Sequence, residues 1–423
     1  MAGIYIHIPF CRSRCIYCGF YSTTALDLRQ RYVDALCREM EIRGTRNEEG
    51  GKRNDEEIET IYLGGGTPSQ LSAAQLHQIF EAIYIYNNVY GQIISPSCVP
   101  MVASDQRSSA SFLLPPSSTK EITIEVNPDD VTVEFAAVLQ QLPVNRVSMG
   151  IQTFDDQRLR FLHRRHTSRQ AIEAVSILRS AGINNLSIDL MYGFPGETLS
   201  DWQSDIDSAL SLNVEHISAY CLMIEEGTPL HQLYNLAPPY PRTPAPPTEE
   251  TERQMYYTLI DRLTAAGYKH YEISNFARPG FRSRHNSNYW NGTPYIGLGA
   301  AAHSYDIRSR SWNIADINAY IEGIERGERL FEEEFLDDDT RYNDAVTVGL
   351  RTCEGIDLNT LPKKYRDYCI KNARRYLDDG LLELVTTTNS NHTPHLSPLT
   401  SHLKLSRRGL FVSDMVMSDL MMV

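Results

Sequence analysis

Residues 4–19 read IYIHIPFCRSRCIYCG, and this stretch decides the fold of the chain. In its first half isoleucine alternates with Tyr5 and His7, which is typical of a β-strand with two different faces. Tyr5 and His7 share one face, which is predicted to point into the interior of the fold. Cysteines follow at positions 11, 15 and 18, so they are predicted to lie in a loop directly after that strand.

A short β-rich run followed by a helical pattern recurs along the first half of the chain. Apolar residues in the helical stretches return at intervals of three and four, as expected for helices packed on a parallel sheet. The predicted strands are Ile4–Ile8, Thr60–Leu63, Glu121–Val126, Arg146–Ile151, Leu186–Met191 and His216–Tyr220. The predicted helices are Arg29–Ile42, Ala73–Ile85, Thr132–Leu139, Arg169–Ala181 and Trp202–Leu210. Six such units predict an α/β fold, a partial TIM-like (β/α)6 barrel with its site at the carboxyl ends of the strands.

The second half of the chain is predicted to hold a mixed α+β region and a small final module. Residues 91–120 are rich in serine and proline and indicate an inserted surface loop, and 236–248 indicate a proline-rich connection out of the barrel. A helix is predicted over 249–266, followed by an irregular region rich in glycine and aromatic residues. From about 335 the pattern is helix, helix, strands at 381–385 and 402–405, and a final helix, which indicates a winged-helix-like module. The predicted domains are 1–235, 236–334 and 335–423.

The amino-acid composition argues against several classes of protein. The 423 residues carry a net charge of -13, which argues against a general binder of nucleic acid or of anionic membranes. No signal peptide and no apolar run long enough to span a bilayer are visible, so a cytoplasmic location is expected. The eight cysteines do not form a disulfide framework, because three of them crowd into positions 11 to 18 and the rest are scattered.

The cysteine triplet has the ligand chemistry of an iron-sulfur cluster. Three protein thiolates on a [4Fe-4S] cluster leave one iron open, and the amino and carboxylate groups of S-adenosylmethionine (SAM) can chelate that iron. The alternative is a zinc site, which would need further ligands nearby, and His7 could supply only one. The other cysteines are interpreted as small hydrophobic residues.

Six motifs together resemble a known family over most of the chain. The chain resembles the radical SAM proteins known as oxygen-independent coproporphyrinogen III oxidases and their relatives, the HemW haem chaperones. The motifs are Tyr5-x-His7-x-Pro9-Phe10-Cys11-x3-Cys15-x-Tyr17-Cys18-Gly19, Tyr62 to Ser69, Glu125 to Pro128, Gly150 to Phe154, Asp189 to Gly196, and His285-Asn286-x2-Tyr289-Trp290.

The resemblance implies a set of ligand residues. It places the cluster on Cys11, Cys15 and Cys18. It places SAM among Tyr5, Tyr17, Gly65, Gly66, Thr67, Glu125, Gln152, Arg164 and Asp189. Carboxylates suit the ribose hydroxyls and the amino group of SAM, and a guanidinium suits its carboxylate. For any one of these residues the alternative is a strand-end polar side chain that caps the next helix.

Two departures separate this chain from the oxidase branch of the resemblance. The oxidase motif has a further cysteine two positions after the third, where this chain has Phe20, and the oxidase has a long segment before its cluster, where this chain has ten residues. The resemblance therefore implies that the radical SAM site is intact and that oxidase activity is absent. It also implies haem binding by His285, Asn286, Tyr289 and Trp290. The alternative is an aromatic core cluster with a hydrogen-bonded histidine, and His303 is a second candidate.

The function implied is that of a haem chaperone with a [4Fe-4S] cluster, SAM and haem as its ligands. The alternatives are coproporphyrinogen III oxidation or another radical SAM reaction on a tetrapyrrole, and an interaction protein that keeps the cluster for structure. The implied partners are a haem-accepting protein and, if SAM is cleaved, an electron donor such as flavodoxin or ferredoxin. Peripheral contact with membrane haem proteins and dimer formation are left open, and no nucleic acid is expected.

Overall fold

The computed structural model describes residues 2–45, 58–86, 119–235, 245–387 and 400–422. The predicted insertion at 91–120 lies outside the described residues except for its last two positions. Residues 236–244 of the proline-rich connection also lie outside them.

Six parallel strands alternate with helices in the first half, so the predicted α/β fold is confirmed. The strands are β1 Ala2–Ile8, β2 Ile58–Gly65, β3 Glu121–Val126, β4 Arg146–Gln152, β5 Leu186–Tyr192 and β6 His216–Cys221. The helices are α1 Arg29–Thr45, α2 Ala73–Tyr86, α3 Val133–Gln141, the short α4 Asp156–Phe161, α5 Ser168–Ser180 and α6 Leu199–Ser211. Each strand pairs in parallel with the next one along the chain.

Strand residues alternate between two environments. On β1, Ile4, Ile6 and Ile8 are fully buried and belong to the main apolar core, where the outer face of the sheet meets its helices. Tyr5 lies on the other face of that strand and lines the interior of the barrel. This division follows from the period of two in the sequence and leaves the inward face free for polar side chains.

Further strands extend the sheet on both sides of the six. The described elements are α7 Pro229–Asn235, α8 Glu249–Ala265, β7 Lys269–Glu272, β8 Asn275–Ala277, α9 Arg284–Trp290, β9 Tyr295–Leu298, β10 His303–Tyr305, β11 Ser309–Asn313, α10 Ile317–Glu325 and β12 Phe331–Phe335. The strand order is β12-β11-β10-β9-β1-β2-β3-β4-β5-β6-β8-β7. The expected irregular region thus contains short strands, which are too brief to show a periodic pattern in the sequence.

The C-terminal part has its own apolar core. Its elements are α11 Asp338–Arg351, β13 Ile356–Asp357, α12 Lys363–Asp378, β14 Leu382–Thr387, β15 Thr400–Leu405, α13 Arg407–Leu410 and α14 Ser413–Leu420. The three strands form an antiparallel sheet in the order β13-β15-β14. The order of helices and strands agrees with the sequence pattern, whereas the winged-helix description and the domain boundaries stay predictions.

Among the helices of the described ranges, none combines the length and apolarity that a membrane span requires.

Candidate functional site

A cavity of about 1210 Å³ lies inside the curve of the six parallel strands. On β4 it is lined by Arg146, Ser148 and Gly150, which are alternate residues of the inward face. Around its mouth lie the loops that follow the strands, and Leu410 and Phe411 of the C-terminal part also border it. The cavity is larger than the roughly 300–1,000 Å³ of an ordinary small-molecule pocket, so it can accept more than one ligand.

The cysteine loop forms one side of the mouth. Cys11, Cys15 and Cys18 all line the cavity as free thiols. The loop is held by backbone hydrogen bonds from Cys11 N to Thr23 O, at 2.9 Å, and from Cys18 N to Cys15 O, at 3.3 Å. Burial raises the pKa of the Cys11 and Cys18 thiols.

A glycine turn after β2 lies directly beside this loop. Gly66 N donates to Ile8 O at 2.8 Å, which joins the turn to the end of β1. A Cβ atom on Gly66 would lie 2.7 Å from the carbonyl carbon of Pro9, and Gly65 has a φ of +108°. Glycine is therefore required at both positions, at one by close approach and at the other by its backbone conformation. Thr67 follows the turn, and its hydroxyl lies 3.5 Å from Cys11 Sγ.

Two carboxylates face the cavity from β3 and β5, the strands on either side of β4. Glu125 of β3 accepts hydrogen bonds from Tyr62 Oη, at 2.7 Å, and from Gly65 N, at 3.0 Å. Burial raises the pKa of Glu125 to about 7, and it raises the pKa of Asp189 on β5 to about 6. Both groups can therefore change their charge when a ligand enters.

Arg164 is fixed between the cysteine loop and β4. Its Nη2 donates to Asn127 Oδ1 at 2.9 Å and to the carbonyl of Gly150, and its Nη1 lies 3.7 Å from Cys15 Sγ. Gln152, at the end of β4, is the neighbouring rim residue and has a φ of +72°. A non-glycine residue in the left-handed region is uncommon, and such strain is found mainly at functional sites.

Tyr5 and Tyr17 complete the set of residues predicted to surround the cofactor. Tyr5 Oη lies 3.0 Å from His7 Nδ1, and His7 Nε2 lies 3.0 Å from the carbonyl of Tyr21. Burial lowers the pKa of His7 to about 4, so the ring is neutral and donates from Nε2 to the carbonyl, while Nδ1 accepts from Tyr5. His7 thus orients Tyr5 and has no nitrogen left for a metal. Tyr17 lines the cavity beside the cysteines, and burial raises its pKa.

His285 lies at the opposite end of the barrel from the cysteine loop. Its Nδ1 is 2.9 Å from Thr60 Oγ1 and its Nε2 is 2.9 Å from Tyr289 Oη. The ring stacks on Tyr62 at 5.1 Å and is 1% exposed, and burial lowers its pKa to about 3. Glu121, the first residue of β3, accepts from the backbone N–H of His285 at 3.0 Å and so fixes α9 there.

The other members of the same motif divide between two places. Asn286 and Tyr289 border the cavity with His285. Trp290 does not line it and instead packs under the guanidinium of Arg351, whose Cζ is 4.9 Å from the ring centroid. His303, the second candidate, is exposed on β10 and stacks on Trp312. The contacts of His285 and Trp290 favour the packing interpretation that the sequence left open.

Comparison with known proteins gives the family. Residues 5–209 match the family model described as the radical SAM superfamily. The heme chaperone HemW of Bacillus subtilis is 34% identical over 86% of this chain and 87% of that protein. The heme chaperone HemW of Lactococcus lactis is 32% identical over 86% of this chain and 84% of that protein. The chain belongs to the HemW family of radical SAM proteins.

A solved structure shows the same fold. The radical SAM enzyme coproporphyrinogen III oxidase (HemN) from Escherichia coli matches with a TM-score of 0.75 and 19% sequence identity. The match covers 99% of this chain and 89% of that chain. At this identity the likeness concerns the architecture, because one fold can carry several functions.

Membership of the superfamily implies a [4Fe-4S] cluster and SAM, and the residues of this chain fit both. Among the described residues, no three His, Cys, Asp or Glu side chains converge closely enough to hold a single metal ion. A four-iron cluster needs no such convergence, because each thiolate binds a different iron. The loop therefore suits a cluster better than the zinc alternative.

Several residues that line the cavity were not identified from the sequence. Tyr62 binds Glu125, and Asn127 connects Thr67 to Arg164, with its Nδ2 3.2 Å from Thr67 Oγ1. Both residues belong to the motifs quoted above, and that position could have indicated that they lie at the site. Arg146 and Ser218 line the cavity without any such motif, and only their inward register on β4 and β6 would have indicated them.

Proposed function

We propose that this chain is a haem chaperone that binds haem, a [4Fe-4S] cluster and SAM, and transfers haem to acceptor proteins. One observation carries the proposal: the cysteine loop and its polar rim open on a single large cavity, in a chain whose relatives are named heme chaperones. The cavity volume supports two ligands rather than one.

In this proposal Cys11, Cys15 and Cys18 hold the cluster. When bound, the cluster and SAM together supply one-electron chemistry. Arg164 is already oriented by Asn127 and suits the carboxylate of SAM. Tyr5, Tyr17, Gly65, Gly66, Thr67, Glu125, Gln152 and Asp189 form the remaining SAM contacts.

Apolar side chains at the mouth support haem as the second ligand. Phe20 is 70% exposed, Met223 is 63% exposed and Tyr220 is 43% exposed, and all three border the cavity. Exposed apolar groups that gather at a cleft are typical of binding surfaces, and a flat aromatic macrocycle can pack against them.

The alternative function is coproporphyrinogen III oxidation, which the fold shared with HemN favours. Against it stands Phe20, which occupies the position where the oxidase motif carries a further cysteine. We therefore propose that this chain does not decarboxylate porphyrinogens.

Anaerobic reconstitution followed by two parallel assays tests the proposal. We expect the reconstituted protein to bind haem with a Soret band and to pass it to apomyoglobin, used here as a neutral acceptor. With SAM and a reductant present, coproporphyrinogen III should stay unconverted. Formation of protoporphyrinogen IX would establish the oxidase alternative, and a retained cluster without either activity would indicate a structural role.

The same haem titration on His285→Ala decides whether His285 is an iron ligand. Both ring nitrogens are already engaged, so we expect the folded variant to bind haem with an unchanged Soret band. Ser287→Ala is the matched control on the same helix, because this side chain bonds the carbonyl of Ser283 and does not line the cavity. Loss or displacement of the Soret band in His285→Ala alone would establish ligation by this residue.

A further inference from the structure

Arg146 is a buried cation that faces the cavity from the amino end of β4. It is the first residue of that strand and is 1% exposed. Ser148 and Gly150, which share its face, also line the cavity, so the guanidinium points into the barrel interior. The residues expected to surround SAM lie nearer the carboxyl ends of the strands.

The guanidinium has unused hydrogen-bonding capacity. No described residue accepts a hydrogen bond from Arg146 Nε or Nη1. Thr123, its partner in the β3–β4 register, is fully buried and has a hydroxyl that is also without a partner. Arg164, the other arginine of this wall, uses its Nη2 for two hydrogen bonds. Buried polar groups are nearly always paired, so an unpaired guanidinium that lines the cavity, with an unpaired hydroxyl next to it on β3, indicates a missing ligand.

The surrounding charges restrict what that ligand can be. Glu125 and Asp189 border the same cavity, and neither forms a hydrogen bond with Arg146. Burial raises the pKa of both carboxyl groups, and the positive charge of Arg146 opposes that rise. A guanidinium with free N–H donors on Nε and Nη1 suits an oxyanion, which can accept charge-assisted hydrogen bonds from it. Because two carboxylates lie nearby, a monoanionic carboxylate is repelled less than a phosphate dianion would be.

We propose that Arg146 binds a carboxylate of the ligand that shares the cavity with SAM. The inference deepens the proposed function and rests on it for the identity of that ligand. The ligand is haem, and the bound carboxylate is one of its propionates. The tyrosines at positions 62 and 289 supply the aromatic wall of the same space.

The test compares haem with its dimethyl ester, which has the same ring but no free carboxylate. We expect the reconstituted wild-type protein to bind haem about ten- to hundred-fold more tightly than the ester, as for the loss of a charge-assisted hydrogen bond. Arg146→Gln should bind both at the affinity of the ester. Arg146→Lys should recover only part of the preference, because it keeps the charge and loses the planar set of donors.

A matched control is Arg179→Gln, which removes an arginine that pairs with Glu215 outside the cavity. It should keep the full preference for haem. Arg146→Gln should melt no lower than the wild type without ligand, because it removes a buried charge that lacks a partner. If Arg146→Gln does not fold, Arg146→Lys takes its place, and a preference for haem as large as that of the wild type would overturn the role of Arg146.

The outcomes separate this inference from the proposed function. Equal binding of haem and its ester by the wild type would overturn the carboxylate site while leaving haem binding intact. Absence of haem binding would refute the proposed function, and succinate would then serve as the probe. A rise in melting temperature with succinate in the wild type but not in Arg146→Gln would support the site, and no rise in either would overturn it.

Discussion

At the scale of single residues, Glu125 connects the electrostatics of the cavity to the stability of the chain. It lies inside the barrel, where it accepts from Tyr62 and from the backbone of Gly65. Burial raises its pKa to about 7, because the charged form loses hydration and the two hydrogen bonds restore only part of it. Its protonation therefore differs between the folded and the unfolded chain near neutral pH.

Glu125→Gln should change how stability depends on pH. With the folded-state pKa raised, the folded chain binds the proton more tightly, so this stabilisation is present below the unfolded pKa and is lost as the pH rises through about 7. Between about pH 5 and pH 8 we expect the unfolding free energy of the ligand-free wild type to fall by up to about 2 kcal/mol more than that of the variant. Denaturant titrations at the two pH values measure this difference.

The control for this measurement is Glu134→Gln. Glu134 lies in the first turn of α3, where backbone N–H groups lower its pKa. Its contribution is present above the unfolded pKa of 4.5 and is lost only below it, so between pH 5 and pH 8 this variant should follow the wild type. Identical pH profiles for Glu125→Gln and the wild type would show that Glu125 is not buried in the folded chain.

At the scale of elements, the turn after β2 holds the end of β1 and with it the cysteine loop. The two strands pair in parallel up to Ile8 and Gly65. Beyond that point Gly66 N continues the contact by donating to Ile8 O. The position of Cys11 thus depends on how closely two backbone segments approach.

Gly66→Ala should displace that loop. The new Cβ would lie 2.7 Å from the Pro9 carbonyl carbon and 2.8 Å from Ile8 O, which are backbone atoms that cannot rotate away. We expect the variant to lose about 1–3 kcal/mol of stability, as in overpacked cores, and to retain less iron and sulfide after reconstitution. Gly267→Ala is the control, because its φ of +89° makes alanine costly there while no atom lies within 4 Å of the added Cβ, so it destabilises the chain without displacing the cysteine loop. Equal cluster content in the two variants would contradict this role of the turn.

At the scale of the whole molecule, the sequence predicted the barrel well and its surroundings less well. The six strands and five helices appear where periodicity placed them, because each is long enough to show its period and buries one regular face. The strands β9 and β10 were not predicted, since their three or four residues are set by pairing with partners distant in the sequence.

The residues of the candidate site were also predicted only in part. Residues that follow a strand could be recognised from motifs, and the structure brings the cysteines, the glycine turn, Glu125, Arg164 and Asp189 to one cavity. Arg146 was not recognised, because it stands outside the quoted motifs and only its inward register on β4 indicates that it lines the cavity. For His285 the sequence left a haem ligand and a hydrogen-bonded core histidine as alternatives, and its two hydrogen-bond partners come from β2 and from its own helix.

The C-terminal part is joined to the barrel through Arg351 at the end of α11. Its guanidinium donates to Glu272 Oε1 of β7 at 3.0 and 2.7 Å and covers the ring of Trp290 on α9. The carboxylate of Glu272 is buried, with Asn275 and the N–H of Ser274 as its remaining donors. One side chain thus connects three elements that are distant in the sequence.

Arg351→Ala should therefore weaken the attachment of the C-terminal part. It leaves a buried carboxylate without its cation, and because Arg351 itself is partly exposed we expect a loss of about 1–3 kcal/mol, below the value for a fully buried pair. Hydrogen exchange should become faster in α11 to α14 while β1 to β6 stay protected. Arg341→Ala, which removes an exposed ion pair with Asp338 on the same helix, should have little effect. Uniformly faster exchange across the barrel would instead mean that the two parts unfold as one unit, and the role of Arg351 as a local connection would be refuted.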